Sequence, residues 1–109
     1  MKNHVRVYLE YFGHDQGDFI PSEISGGRAV DICHIDCRGM GGNPTREKDR
    51  IENLMAQTRE EHLTLGDKVS TKAYEYQKHL DFLEKHGKPF DREYILAQID
   101  KYTLNLKEV

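Results

Sequence analysis

An α+β fold is predicted from three observations. Strand-type runs occupy residues 4–12 and 28–35 in the first third of the chain. A Thr-x-x-Glu signature at Thr58–Glu61 follows them, and from residue 69 onward apolar residues recur at helical spacing. Strands first and helices afterwards is the α+β order. A length of 109 residues suits a single domain, 1–109, with room for one modest core.

Residues 4–12 alternate Val5, Val7, Leu9 and Tyr11 with more polar neighbours, the pattern of a half-buried N-terminal strand. Residues 13–27 contain Gly13, Gly17, Gly26 and Gly27 and read as loop and turn. Residues 28–35 read as a second strand, 36–49 as loop, and 51–55 as a short strand or turn. The capping box starts a helix near residue 59, and Gly66-Asp67 interrupts or bends it. Val69, Ala73, Tyr76, Leu80 and Leu83 then mark an amphipathic helix that ends at Gly87. Beyond Lys88-Pro89, Asp91 caps a last helix carrying Ile95, Ile99 and Tyr102.

Composition excludes several function classes. Hydrophobic residues are 37% and charged residues 32% of the chain, and no apolar run approaches the roughly 20 residues of a membrane span. MKNHVRVYLEYF lacks the basic-then-apolar pattern of a signal peptide, so a cytoplasmic location and no membrane partner are expected. The two cysteines, Cys33 and Cys37, are too few for a disulfide scaffold. In an extended segment they lie over ~10 Å apart, too far for a bridge, and are expected as thiols. A net charge of −3 gives no general attraction to nucleic acid. Residues 38–50 are locally basic, with Arg38, Arg46, Lys48 and Arg50 against Glu47 and Asp49, so phosphate would need positioned contacts.

The chemistry-bearing residues are His34 at a strand end, Asn53 nineteen residues later, and His62 nine residues after that on a helix. Together with "AVDICHI", "RGMGG" and "IENLM…REEH", they resemble the His-Asn-His (HNH) endonuclease family over about Ser22–His62. The resemblance implies a ββα-metal core at about 22–66, with a C-terminal helical extension at about 68–104. It implies metal-dependent hydrolysis of DNA phosphodiester bonds that leaves a 5′-phosphate. A histidine titrates near neutral pH and can take a proton from water, and one divalent ion (Mg, Mn, Ni or Zn) supplies positive charge. The resemblance puts the base at His34 and metal ligation at His62 and at Cys33, the residue before the base. Asn53 would orient the base or help at the metal. Arg38 and the glycine loop, with Gly41 and Gly42, would approach phosphate closely. The first turn of the helix also offers free N–H groups to an anion.

Two positions differ from the family pattern. Cys33 stands where His or Asp is common, and a thiolate favours zinc over magnesium. Ser22-Glu23-Ile24-Ser25 and Thr58-Arg59-Glu60-Glu61 stand where many relatives carry paired cysteines on a structural zinc. Hydroxyls and a carboxylate make no such site, so no structural zinc is expected, and hydrogen bonds and packing replace it. Two alternatives follow. One is a catalytically impaired HNH-fold module that binds nucleic acid or protein. The other is a helical adaptor whose interface is the Val69–Leu83 stripe. Arg46, Lys48 and Arg50 are expected on a solvated face, and His79 and His86 in solvent. Tyr74, Tyr76, Phe82 and Tyr94 are expected as core or partner surface. His4 and His14 have no assignable partner.

Overall fold

The computed structural model describes residues 1–36, 45–66 and 68–107, with side chains through residue 104. In chain order the elements are α1 (Asn3–Phe12), β1 (Asp31–His34), two 3-10 turns (Glu47–Asp49 and Ile51–Asn53), β2 (Leu54–Gln57), α2 (Arg59–Leu65), α3 (Val69–His86) and α4 (Arg92–Lys107). Helix and strand are both present, as α+β requires. The strands pair antiparallel, with Asp31 opposite Gln57, Ile32 opposite Ala56, Cys33 opposite Met55 and His34 opposite Leu54. Strand pairing is thus narrower than residues 28–35, and residues 51–55 divide into a 3-10 turn and the start of β2.

The first element corrects the sequence reading: residues 4–12 are helical, not a strand. The run that alternates also places Val5, Tyr8 and Phe12 on one helical face, so both periods fit it. Gly13 decides the local end. At φ 70° it adopts the left-handed conformation that stops a helix, and its N–H reaches back to Glu10 O. Tertiary packing decides the rest, because Tyr8 is 1% exposed within the core.

The hairpin is covered on both faces. Leu54 and Ala56 of β2 join Tyr8 in one apolar cluster, with Val7, Phe12 and Ile32 against it. Met55, pointing the other way, joins Ile35, Tyr76, Leu80, Leu83 and Ile95 in a second cluster with Tyr94, Ile99 and Tyr102. A period of two therefore sends alternate β2 residues to α1 and to the α3–α4 layer. The Val69–Leu83 stripe lies largely in this core: Tyr76, Leu80 and Leu83 are buried, and only Val69 at its start is exposed. This leaves no adaptor interface there.

The C-terminal helices form as their local signals dictate. Gly87, at φ 84°, ends α3 with its N–H on Leu83 O. Asp91 Oδ1 accepts the Tyr94 N–H at 3.1 Å and opens α4. Arg50 is not on a solvated face. It bonds Glu52 and Asp91, and its guanidinium sits 3.9 Å from the Tyr94 ring centroid, tying the 3-10 turns to α4.

Around α2 the hydrogen bonds run as the sequence suggests. Thr58 Oγ1 accepts from Glu61 N, and Glu61 Oε1 accepts from Thr58 N. Ser22 Oγ donates to the same Glu61 oxygen at 2.5 Å and accepts from the backbone N–H groups of Ile24 and Ser25. Burial alone would raise the Glu61 carboxyl, but the bonds from Ser22, Ser25 and Thr58 outweigh it and hold it below the usual carboxylate range. Thr58→Ala is expected to cost about 1–2 kcal/mol, read from the urea midpoint at constant m-value.

Candidate functional site

His34 is the last residue of β1, and its ring leaves the hairpin toward the start of α1. Its Nε2 lies 2.7 Å from Asp49 Oδ1, with the two side chains 12% and 7% exposed. Asp49 reaches this place from the 3-10 turn Glu47–Asp49. That turn begins after Arg46, the one non-glycine residue with positive φ (59°) among the described residues. Asn3 Nδ2 donates to the other Asp49 oxygen at 2.9 Å. Burial would raise the Asp49 carboxyl. The hydrogen bonds from Asn3 and His34, and the nearby His34 and His4 rings, outweigh burial and hold it below its ordinary value. Asp49 is therefore a carboxylate at neutral pH.

An ionised carboxylate only accepts, so the His34 Nε2 carries the hydrogen, and in the neutral form of the ring the lone pair is on Nδ1. Among the described residues no hydrogen bond reaches that Nδ1. The His4 ring lies 4.4 Å from the His34 ring, centroid to centroid, with the planes inclined at 47°. His4 thus has a neighbour that its sequence context did not reveal.

Asn53 is fully buried directly before β2. Its amide nitrogen donates to Asp36 O and Lys48 O, and its amide oxygen accepts from Asp36 N and lies 2.9 Å from the Tyr76 hydroxyl, whose single hydrogen goes to the nearer Asp36 carboxylate. These bonds join residue 36 to residue 48. The Asp36 carboxylate accepts from the Tyr76 hydroxyl at 2.6 Å and from the Tyr102 hydroxyl. Lys72 Nζ donates to the Ile35 carbonyl. The strand end carrying His34 is thereby fixed from the α3 side.

His62 stands apart from this cluster. On α2, 46% exposed, it places Nδ1 3.1 Å from Asp31 Oδ2 at the other end of β1. Arg59 bonds both oxygens of the same carboxylate. Cys33 is 8% exposed. Among the described residues, one group of three or more His, Cys, Asp or Glu has ligand atoms within 4.8 Å of one another: His4, His34 and Asp49. Neither Cys33 nor His62 belongs to it. Glu60 and Glu61 in the first turn of α2 put negative charge where the sequence suggested an anion. Arg38, Gly41 and Gly42, expected at phosphate, lie outside the described residues, as does Cys37.

Sequence reasoning missed Asp49, His4 and His79. Asp49 sits in the alternating run Arg46–Arg50, where no local signal separates a buried acid from solvated ones. His79 did carry a signal. It lies three residues past Tyr76 and four before Leu83, on the buried face of α3, and is fully buried instead of solvated. His86 is exposed, with its ring 4.7 Å from that of Phe12.

Comparison of the chain with protein-family models, curated proteins and solved structures found no match. No helix among the described residues is long and apolar enough to cross a membrane.

Proposed function

We propose that this chain is a divalent-metal-dependent endonuclease of HNH type, hydrolysing DNA phosphodiester bonds, with His34 as the base. The single observation that carries the reading is the His34–Asp49 pair. The carboxylate holds Nε2–H, which in the neutral ring leaves a lone pair on Nδ1 at the end of β1. Asp49 also stabilises the imidazolium formed when Nδ1 takes the proton from an attacking water. The order of elements supports the same reading: hairpin, then helix, with one imidazole on β1 and another on α2.

A divalent ion would neutralise charge on the phosphate and on the departing 3′ oxygen. His62 and Asp31 would offer it one imidazole nitrogen and one carboxylate oxygen 3.1 Å apart, at the other end of β1 from His34. Cys33, on the same strand, is more deeply buried than either. Arg59 competes for Asp31, and that competition favours a second reading, a scaffold that binds DNA or protein without cutting.

The test is nicking of supercoiled plasmid with Mg²⁺, Mn²⁺, Ni²⁺ or Zn²⁺ added separately. His34→Ala is expected to lower the rate by about 10²–10⁴-fold. Asp49→Asn is expected to lower it less, because the ring keeps its place but loses the carboxylate that orients it. Equal behaviour of wild type and His34→Ala with all four ions sinks the enzyme reading. Cleavage that appears only in Cys33→His favours the non-cutting scaffold.

A further inference from the structure

His4 has no part in the proposed hydrolysis and comes from α1, outside the hairpin and α2. Folding nevertheless brings it to His34 and Asp49, thirty and forty-five residues away along the chain. The three supply two imidazole nitrogens and one carboxylate oxygen, all within 4.8 Å of one another. A tetrahedral ion with bonds of about 2.0–2.2 Å requires donors about 3.3–3.6 Å apart. The 2.7 Å pair of His34 and Asp49 must therefore open by roughly 0.6–0.9 Å, and a pair at the 4.8 Å limit would have to close by roughly 1.2–1.5 Å. Asn3, bonded to the other Asp49 oxygen, keeps the carboxylate facing the rings in the way outer groups fix metal ligands.

We propose that His4, His34 and Asp49 form a transition-metal site, with zinc the fitting ion, and that its occupancy switches off the base. Two imidazoles and a carboxylate suit zinc, cobalt or nickel far better than magnesium or calcium. The ion takes the Nε2 position now held by a proton. That proton moves to Nδ1, so the ring stays neutral and no net charge is lost from it. The lone pair that accepts a proton from water is then gone. The site itself stands on geometry alone, while the inhibitory consequence rests on the proposed nuclease reading.

The experiment uses the full chain, freed of metal, titrated with cobalt(II) and followed by its visible absorption, with zinc as competitor. One tight cobalt per chain is expected, with His4→Gln weakening it at least about tenfold; any weaker equivalent at His62 and Asp31 is the one that His62→Gln removes. Thermal unfolding gives the second readout: zinc should raise the midpoint of the wild type but not of His4→Gln, itself shown folded by its own melting curve. Binding that survives His4→Gln and disappears in His62→Gln overturns the site, as does the absence of binding. Plasmid nicking in Mg²⁺ with added zinc reads the consequence separately. Inhibition should occur in the wild type and be relieved in His4→Gln. A wild type that cuts nothing in Mg²⁺ removes the nuclease reading and the inhibitory role, and leaves the cobalt result standing.

Discussion

His79→Leu is expected to destabilise the fold by about 3–5 kcal/mol, the cost of breaking a buried ion pair from one side. His79 and Glu23 are both fully buried in their side chains, with Nδ1 and Oε1 2.6 Å apart. The other ring nitrogen faces the Ile51 carbonyl at 2.7 Å, which can only accept. Both nitrogens therefore carry hydrogen, and the ring is an imidazolium. Burial opposes that charge. Glu23, the Ile51 carbonyl and the more distant Glu52 outweigh burial and raise the pKa above the ordinary histidine value. Leucine would strand the Glu23 carboxylate with only the Tyr8 hydroxyl and a long bond from Ala56 N. The double variant Glu23→Gln/His79→Leu should be more stable than His79→Leu alone, because glutamine keeps an acceptor for Tyr8 without a charge. A double variant no more stable than the single one would exclude the stranded charge as the cause.

The same pair sets a pH dependence. Below about pH 6.5 both the folded and unfolded chains hold the proton, and the pair's contribution is fully present. Above that value the unfolded chain releases the proton first, so stability falls by at most about 1.4 kcal/mol per pH unit until the folded pKa is passed. Urea unfolding at about pH 6 and about pH 9 should therefore show a drop in the wild type that is reduced in His79→Leu. Tyr8 does not interfere in that window. Burial, then the charge and hydrogen bond of Glu23, push its phenol further above its usual value of 10.

Asn53→Ala should cost about 3–4 kcal/mol, since it leaves the buried Asp36 N–H and the Asp36 and Lys48 carbonyls short of partners. Asn53→Asp should be at least as damaging at neutral pH. It sets a carboxylate oxygen against the Asp36 and Lys48 carbonyls, beside the Asp36 carboxylate. Because Asn53 ties residue 36 to residue 48, next to His34 and Asp49 respectively, its loss should also slow nicking through misplacement of that pair.

The helices were legible because their signals are local. Thr58 and Glu61 cap one another three residues apart, Gly87 stops α3, and Asp91 opens α4, each within one turn. Residues 4–12 were misread because alternation and helical spacing coincide there, and the slot for Tyr8 exists only once β2 is in place. On α3, polarity does not mean exposure, and His79 was expected in solvent on that ground alone. Lys72, Glu75 and His79 share the buried face with Tyr76, and each finds a partner that a single sequence cannot display. The site was half legible. His34 and Asn53 stood out, but the acid behind His34 arrives from a turn and the second imidazole from the opposite end of the domain.

The first turn of α1 delivers Asn3 and His4 to Asp49 and His34, and Met1 just ahead of it is 59% exposed. Anything joined ahead of Met1 thus lies only a few residues along the chain from His4. A polyhistidine purification handle there would add competing donors within a few residues of His4 and confound both cobalt titration and nicking assays. Handles belong at the other terminus, or must be cleaved before either measurement.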